Sequence, residues 1–584
     1  MASRSETLRS GDGAIRVALR AVPIPRVSGG AFVFAIPLVA YLALGAFFAF
    51  GAATIAGDAL SRVGNAYYVL FSRDPHLAAM GFVWNPLPSM AALPLVALSG
   101  VWPPLVEQGF AANVVSAVFM AAAVYQLRGW CRDLGLGTLA SLVVTGLFAA
   151  HPLIALYGAN GMSEAPFVFF LVVAARRLGA WVRTQEVAAL VLSGGALALA
   201  YLTRPEAIAA AIAGCAVVGA LSFVHAQGRF RDRGAVARAD VALFGAPFAA
   251  AFAAWALASW IIVGSPFETF TSVYGGSNQI ALAIETIRQS TGDTPAAALS
   301  FAARQILGLE PLLLPILIIG GTVGAFRRDA RMLAVVAIFG SVLLFSLGLF
   351  LAGKSYGWLR FYIGLIPLAA MAAGAAIAGI RGRPRNVTFA ALLRSPGPRA
   401  KPMLRHVVGT STRGALIGLT LMLVGVGLPS GLATVRAPDL AREEDLHVSG
   451  LSAASGREIP WEWHQYRLAG DVARYLDSLG LPDGAVVVDV ALGFWIVLQS
   501  DRPRQFVITP DRDFDSIVAD PAAFGARYLL VSPSSGLGGV TAIARAYPGI
   551  FETGAGVAIL DREFSSPDGA QYTWPWRLYR VGGK

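Results

Sequence analysis

Long apolar runs separated by short polar segments dominate the first three quarters of this chain. A helix that crosses a bilayer needs about 20 mostly apolar residues, and eleven runs approach or exceed that length. The predicted spans are 31–55, 110–127, 138–156, 164–180, 187–202, 207–224, 241–263, 308–325, 332–352, 361–380 and 414–433. The stretch 86–101 is also apolar but short and rich in proline, so we expect an interfacial helix there. The pattern predicts a polytopic α-helical membrane protein.

The pattern changes after Pro438, where short β-type runs alternate with amphipathic helix. Apolar residues recur at helical spacing from Leu468 to Leu479. The candidate strands are Ala485–Val490, Gln505–Thr509, Arg527–Ser532, Val557–Leu560 and Arg577–Val581. This mixture predicts a small α/β domain. We therefore divide the chain into a tail at 1–30, a transmembrane domain at 31–436 with a first outer loop at 57–109, and an α/β domain at 437–584.

The composition agrees with a chain that lies largely in lipid. Hydrophobic residues make up 56% of it and charged residues only 14%, whereas soluble proteins carry about 25% charged residues. The pI near 9.9 reflects the orientation of the chain in the membrane and predicts attraction to anionic lipid. No basic stripe with stacking aromatic residues is present in the α/β segment, so nucleic acid is not an expected partner.

The distribution of basic residues predicts the orientation. Cytoplasmic loops carry an excess of Lys and Arg, and the tail alone contains five arginines, the first of them Arg4. With the tail inside, 25 of the 33 basic residues in 1–436 lie in the cytoplasm. We therefore expect a plasma (inner) membrane protein whose N-terminus is cytoplasmic and whose α/β domain is extracytoplasmic.

Ionisable residues gather in the loops that this topology places outside. Charges at membrane depth are costly and are usually functional, Arg and Lys suit phosphate, and a carboxylate can accept a proton from a hydroxyl. The first outer loop carries Asp58, Arg62, Asp74 and His76 among aromatic residues. Later outer turns carry Glu164, Arg204, Glu206, Lys354, Tyr356, Arg360 and Tyr362.

Several short motifs occur in a recognisable order along the transmembrane domain. They are Gly57-Asp58, Asn85-Pro86-Leu87, Tyr157-Gly158 before Ser163-Glu164, Leu202-Thr203-Arg204-Pro205-Glu206, and Arg360-Phe361-Tyr362 before Pro367. In this order and topology, the chain resembles the GT-C superfamily of membrane glycosyltransferases, which use polyprenyl-phosphate-linked sugars. The resemblance covers residues 31 to 380, and an outward soluble domain is a common appendage in that superfamily.

The resemblance implies a function and a site. It implies an inverting glycosyltransferase that moves a sugar from a polyprenyl-phosphate donor in the lipid bilayer to an envelope glycan or glycolipid acceptor. Arabinofuranose is the favoured sugar and mannose the next. Asp58 corresponds to the family's catalytic base, and Asp74 is a second catalytic candidate. The lipid phosphate would be contacted by Lys354, Arg360 or Arg204, and the remaining outer-loop residues named above would bind substrate.

The chain departs from the family pattern at two places. Ala59 stands where many relatives have a second acidic residue, and Asn85-Pro86-Leu87 stands where many have His-Pro-Pro. These differences leave the identity of the second carboxylate open. The resemblance implies no definite cofactor and leaves open whether a divalent cation is bound.

Structural roles compete with these functional ones. Asp58 is also suited to cap the next helix, and Asp74 precedes proline as turn residues do. His76 is compatible with a simple interfacial hydrogen bond, Arg204 and Glu206 with an ion pair, and Lys354 and Arg360 with anchoring at headgroups.

Two other functional classes compete with the glycosyltransferase interpretation. A lipid-linked glycan transporter or flippase would show inverted repeats and broken helices, and a non-catalytic envelope-assembly protein would use Asp58 only as a cap.

Asp511, Asp513 and Asp515 have the spacing that begins a calcium loop, but the later positions do not fit. We expect a solvated turn there.

Overall fold

The computed structural model describes residues 29–381, 410–444, 447–448, 461–566 and 574–582. Its membrane domain is built from helices that follow the apolar runs. They are α1 Gly29–Ala46, α2 Gly57–Phe71, α3 Leu87–Val96, α4 Phe110–Asp133, α5 Thr138–Ala150, α6 Pro152–Ala159, α7 Glu164–Thr184, α8 Val187–Tyr201, α9 Ala207–His225, α10 Phe230–Val263, α11 Gly276–Thr291, α12 Pro295–Leu309, α13 Leu313–Arg327, α14 Arg331–Leu351, α15 Leu365–Arg381, α16 Thr410–Gly425 and α17 Gly427–Val435. Short turns continue α1 to Gly51 and precede α15 from Leu359.

The predicted polytopic helical class is confirmed, although the count of eleven spans is not. Within the described residues, eight helices are long and apolar enough to cross a membrane. Two bent pairs, α5 with α6 and α12 with α13, raise the number to ten if each pair is one span. The predicted span 187–202 corresponds to α8, whose fifteen residues are too few for a straight crossing. The predicted interfacial segment forms α3, with ten residues.

Helix α2 determines the position of Asp58. It is amphipathic and buries one side, including Leu60 and Val63, against the membrane domain. The residue at its N-cap is Ala56, which offers no side-chain cap. Asp58 lies in the first turn and its side chain pairs with Arg360, so the helix-capping alternative is wrong and the carboxylate is directed into a side-chain network.

Small residues allow the membrane helices to pack closely. Gly194 of α8 lies so near α10 that a Cβ built on it would be 1.9 Å from the backbone oxygen of Phe244. Close approach of this kind is a common way for membrane helices to associate. The span from Leu359 to Arg381 is largely buried, and its first turn carries Arg360.

The C-terminal α/β domain is present, and all five candidate strands are confirmed. Its elements are α18 Trp461–Ser478, β1 Val486–Val488, α19 Val490–Val497, β2 Phe506–Ile508, α20 Phe514–Ala519, β3 Tyr528–Val531, α21 Ala542–Ala546, β4 Ala558–Phe564 and β5 Trp576–Val581. The sheet order is β2-β1-β3-β5-β4. Strand β1 is parallel to β2 and β3, while β5 is antiparallel to β3 and β4. Helix α18 contains the apolar periodicity seen in the sequence.

Ion pairs dock this domain onto the first loop of the membrane domain. Arg73 contacts both Asp511 and Asp513, with its Nε 3.1 Å from an Asp511 oxygen. Arg512 contacts Asp74, with its Nε 2.9 Å from Oδ2. The expectation of a solvated turn at these aspartates is therefore wrong, because two of them pair with a membrane-domain arginine. Further along, the Tyr274 hydroxyl donates to Asp489 at 2.7 Å.

Candidate active site

Arg360 is the centre of a cluster of charged side chains at one end of the membrane helices. Its Nη1 lies 3.3 Å from Oδ2 of Asp58 and 2.8 Å from Oε1 of Glu443. Its Nε lies 3.7 Å from Oε1 of Glu164. Only 7% of the Arg360 side chain is exposed, so this guanidinium is buried and shared among three carboxyl groups.

Arg204 extends the cluster on the other side of Glu164. It contacts Oε1 of Glu164, and its Nη2 lies 2.7 Å from Oε1 of Glu206. Glu164 begins α7, and Arg204 and Glu206 lie in the turn between α8 and α9. The structure therefore brings together predicted residues from three separate turns, and the Arg204–Glu206 ion pair proposed as a structural alternative is present within the cluster.

Arg62 is the third buried arginine of this region. Its Nη1 donates to the backbone oxygen of Asp58 at 3.1 Å, and its guanidinium lies 5.0 Å from the ring centre of Trp84. Its side chain makes no ion pair with the described carboxylates. Burial lowers the pKa of Arg62, and the charges of Asp58 and Glu164 oppose this effect. Because Asp58 lies one helical turn before Arg62 on α2, the helix itself holds a cation beside the carboxylate.

Two glutamates that the sequence analysis did not select complete the cluster. Glu443 and Glu444 follow the last membrane helix, and the Tyr157 hydroxyl donates to Glu444 at 2.7 Å. The chain around them is fixed to the membrane domain, because Gln305 donates to the Leu440 backbone oxygen at 2.7 Å and the His447 ring lies edge-on to Phe48. We call residues 440–444 the strap. The signal that could have identified it is a pair of adjacent acidic residues soon after the last span.

The surroundings of the site shift the pKa values of its carboxyl groups in opposite directions. Burial opposes ionisation of Asp58, but Arg360 and Arg62 outweigh it and hold the pKa of this carboxyl below its usual range. Burial raises the pKa of Glu443 well above its usual range, and the neighbouring Glu444 and Asp58 add to this effect against the attraction of Arg360. Burial likewise raises the pKa of Glu444. Asp58 is thus ionised at neutral pH, whereas burial favours the protonated forms of Glu443 and Glu444.

A ladder of aromatic rings lies beside the charges. Tyr356 stacks on Trp358 with ring centres 4.2 Å apart, and Phe361 is parallel to Trp358 at 6.2 Å. The guanidinium of Arg360 lies 4.5 Å from the centre of the Trp358 ring. Burial and the Asp58 carboxylate raise the pKa of Tyr356 to about 12, so its hydroxyl stays protonated as a hydrogen-bond donor. Aromatic faces next to polar groups suit a sugar ring.

The remaining predicted site residues lie elsewhere. Asp74 pairs with Arg512 and so belongs to the docking interface with the α/β domain, and Nδ1 of His76 lies 3.7 Å from the Asp74 carboxylate. Lys354 is exposed, and Tyr362 is buried in the core with 1% exposure. The structure thus groups Asp58, Arg62, Glu164, Arg204, Glu206, Tyr356 and Arg360. It does not group Asp74, His76, Lys354 or Tyr362 with them by any described contact.

The sequence leaves open whether the site binds a metal ion, and the side chains of the cluster test whether it could. Within the part of the chain that the structure describes, no three His, Cys, Asp or Glu side chains are grouped so as to hold one. Guanidinium groups instead pair with Asp58, Glu164, Glu206 and Glu443. The residues of this site therefore do not fit a metal centre.

Comparison with known proteins gives structural similarity only. No family model and no curated protein matches the chain. The apo crystal structure of an oligosaccharyltransferase from Archaeoglobus fulgidus aligns with 86% of this chain and 70% of its own length, at 11% identity and a TM-score of 0.43. The oligosaccharyltransferase AglB from Archaeoglobus fulgidus, in complex with an inhibitory peptide and a dolichol-phosphate, aligns with 85% of this chain and 69% of its own length at the same identity and TM-score.

A third similar structure is ArnT from Cupriavidus metallidurans bound to undecaprenyl phosphate. It aligns with 95% of this chain and 100% of its own length, at 13% identity and a TM-score of 0.47. At these identities and TM-scores, the similarities establish neither the family nor the activity of this chain.

Proposed function

We propose that this chain is an inverting membrane glycosyltransferase that takes its sugar from a polyprenyl-phosphate donor. The observation that carries the proposal is the Asp58 carboxylate, ionised and held by Arg360 where the membrane helices end. The Asp58 side chain is 30% exposed, whereas that of Glu164 is only 1% exposed. A partly accessible base beside buried guanidinium groups is suited to a reaction between a hydroxyl and a lipid-anchored phosphodiester.

The reaction follows from these positions. Asp58 accepts the proton of the acceptor hydroxyl while that oxygen attacks the anomeric carbon of the sugar. The bond between this carbon and the phosphate oxygen breaks, and polyprenyl phosphate leaves. Arg360 and Arg62 stabilise the negative charge of the leaving phosphate, an electrostatic contribution that is often the largest in catalysis. Arg204 supports the site by neutralising Glu164 and Glu206.

The finer assignments are also proposals. The sugar is arabinofuranose first and mannose second, and the acceptor is an envelope glycan or glycolipid. The orientation suggested by the arginine distribution places the cluster on the extracytoplasmic face of the plasma membrane. The ladder of Tyr356, Trp358 and Phe361 then provides a surface for a sugar ring.

The test is a donor screen with purified protein in detergent or liposomes. A panel of polyprenyl-phosphate sugars, including arabinofuranosyl and mannosyl forms, is incubated with glycan acceptors, and released polyprenyl phosphate and glycosylated product are quantified. We expect one donor to be consumed, with one polyprenyl phosphate released for each glycosylated product formed. No consumption of any donor by folded protein would contradict it.

A second candidate function, transport of a lipid-linked glycan, is favoured by the two bent helix pairs. The pair α5–α6 bends by 63° and the pair α12–α13 by 68°, and broken helices are typical of transporters. His151 and Glu310 lie at these two breaks, and Nε2 of His151 is 3.5 Å from the Leu309 backbone oxygen. In liposomes, a transporter would move the intact lipid-linked sugar between leaflets without releasing polyprenyl phosphate.

A further inference from the structure

Two carboxyl groups share one nitrogen of Arg360. Nη1 lies 3.3 Å from Asp58 and 2.8 Å from Glu443. These two side chains are 30% and 24% exposed, whereas Glu164 and Glu444 are each 1% exposed. Asp58 and Glu443 are therefore the carboxyl groups of this guanidinium that a substrate can reach, and one comes from the first loop while the other comes from the strap.

The cluster contains more carboxyl groups than guanidinium groups. Five carboxyl groups face three guanidinium groups; they belong to Asp58, Glu164, Glu206, Glu443 and Glu444, and to Arg62, Arg204 and Arg360. In a buried setting, an unpaired carboxylate is costly, so excess groups keep their protons. The structure leaves Oε2 of Glu164 and Oε2 of Glu444 without a hydrogen-bond partner among the described residues.

Among the carboxyl groups in excess over the guanidinium groups, Glu443 is the one that a substrate can reach. The charged and titratable groups that act on it most strongly include Arg360, Asp58, Glu164 and Glu444, and the Tyr157 hydroxyl is 3.4 Å away. Only Arg360 among them is positive, and it is shared with Asp58 and Glu164. These surroundings keep Glu443 neutral while Asp58 is ionised. When two neighbouring carboxyl groups differ in protonation in this way, the neutral one can act as an acid and the ionised one as a base.

We propose that Glu443 is the general acid of the transfer reaction, an inference that rests on the proposed function. As the bond between the anomeric carbon and the phosphate oxygen breaks, Glu443 gives its proton to that oxygen. Asp58 takes the proton of the acceptor hydroxyl in the same displacement. The products are the glycosidic bond, protonated Asp58, ionised Glu443 and singly protonated polyprenyl phosphate. Exchange with solvent restores both side chains.

The geometry also explains how an acidic strap can sit on a phosphate-binding arginine. An ionised Glu443 would compete with the donor phosphate for Arg360, whereas a neutral one donates a hydrogen bond to the phosphate and leaves the guanidinium charge to it. The membrane domain holds the strap at both ends, because Gln305 donates to the Leu440 backbone oxygen and the Tyr157 hydroxyl donates to Glu444. The acid is therefore positioned by the same contacts that fix the strap.

The test compares Glu443→Gln with wild-type protein in the donor assay across pH. Loss of a general acid lowers turnover by about 100-fold or more, and the alkaline decline of the wild-type pH profile should disappear. The defect should shrink with a polyprenyl-diphosphate-linked sugar, whose leaving group needs less protonation. Asp439→Asn is the matched control, because Asp439 precedes the strap, is 62% exposed and pairs with the exposed Arg304; its profile should match wild type.

The results distinguish a failure of the general-acid assignment to Glu443 from a failure of the proposed glycosyltransferase function. If wild type transfers sugar and Glu443→Gln keeps the rate and the alkaline decline, the acid assignment is refuted while the proposed function stands. A decline lost in Glu444→Gln instead of Glu443→Gln also refutes it. Independently of activity, infrared difference spectra at neutral pH should show one protonated carboxyl band in wild type that Glu443→Gln lacks. Absence of that difference overturns the inference even if no donor is ever turned over.

Discussion

Asp58 and Arg360 are 302 positions apart in the chain, yet both Nη atoms of Arg360 lie 3.3 Å from Oδ2 of Asp58. The contact joins the first loop to the start of the most buried membrane span. It keeps the carboxylate ionised and directs it away from a capping role. The position of the candidate base therefore depends on a guanidinium that also holds Glu164 and Glu443.

Replacing Arg360 by alanine should destabilise the protein. The change leaves Asp58, Glu164 and Glu443 around an empty position, and removing one partner of a buried ion pair costs about 3–5 kcal/mol. We expect the free energy of unfolding in detergent to fall by that amount. Arg360→Lys keeps the charge and should lose less. Equal stability of wild type and Arg360→Ala would contradict the description of this arginine as the centre of the cluster.

Replacing Gly194 by alanine should weaken the packing of α8 against α10. The new Cβ would lie 1.9 Å from the Phe244 backbone oxygen, and overpacking of this kind costs about 1–3 kcal/mol. Thermal melting in detergent measures the change. The matched control is Gly195→Ala, since a Cβ there meets nothing within 4 Å and alanine favours the helix. A lower midpoint for the control than for Gly194→Ala would contradict the packing.

The docking of the α/β domain should depend on pH through Asp511. Burial raises the pKa of this aspartate to about 6 from an ordinary value of 3.8. The native state therefore holds the proton more tightly than the unfolded state, and stability falls as pH rises from about 4 to about 6. The full loss is about 3 kcal/mol and is complete above that window.

Asp511→Asn isolates this effect. The variant should lack the decline between pH 4 and 6, as measured by denaturation of the α/β domain monitored through its tryptophans. Asp515→Asn, an exposed neighbour in the same turn, should keep the wild-type dependence. An unchanged pH dependence in Asp511→Asn would show that another group is responsible.

Most of the fold could be predicted because apolar patterning determines it. The strands after residue 484 and the helices of the membrane domain coincide with runs whose length and period are visible in the sequence. The span count was harder to predict. Val187–Tyr201 is apolar but only fifteen residues long, and the bend at His151 divides the predicted span 138–156. The bend at Glu310 joins the predicted span 308–325 to Pro295–Leu309, a helix that the sequence analysis did not predict as a span. Such bends depend on tertiary packing, which a single sequence does not reveal.

The site could be predicted only in part. Asp58, Glu164, Arg204 and Arg360 stand out because each is ionisable beside an apolar span, and the structure brings them together. Glu443 does not stand out, because an acidic pair at the start of a soluble segment resembles an ordinary solvated run. Asp74 was selected for its place in the first loop, and only the folded chain shows Arg512 beside it. Its catalytic role remains a prediction.

The central claim is that the carboxylate of Asp58 accepts the proton of the acceptor hydroxyl at this cluster. The most direct measurement is single-turnover sugar transfer by Asp58→Asn with a saturating polyprenyl-phosphate sugar, alongside donor binding by the same protein. Asp483→Asn, which changes an exposed carboxylate of the α/β domain, serves as the control. We predict a transfer rate lower by about 10²–10⁴-fold with donor binding retained. Transfer at the wild-type rate by folded Asp58→Asn would contradict the claim.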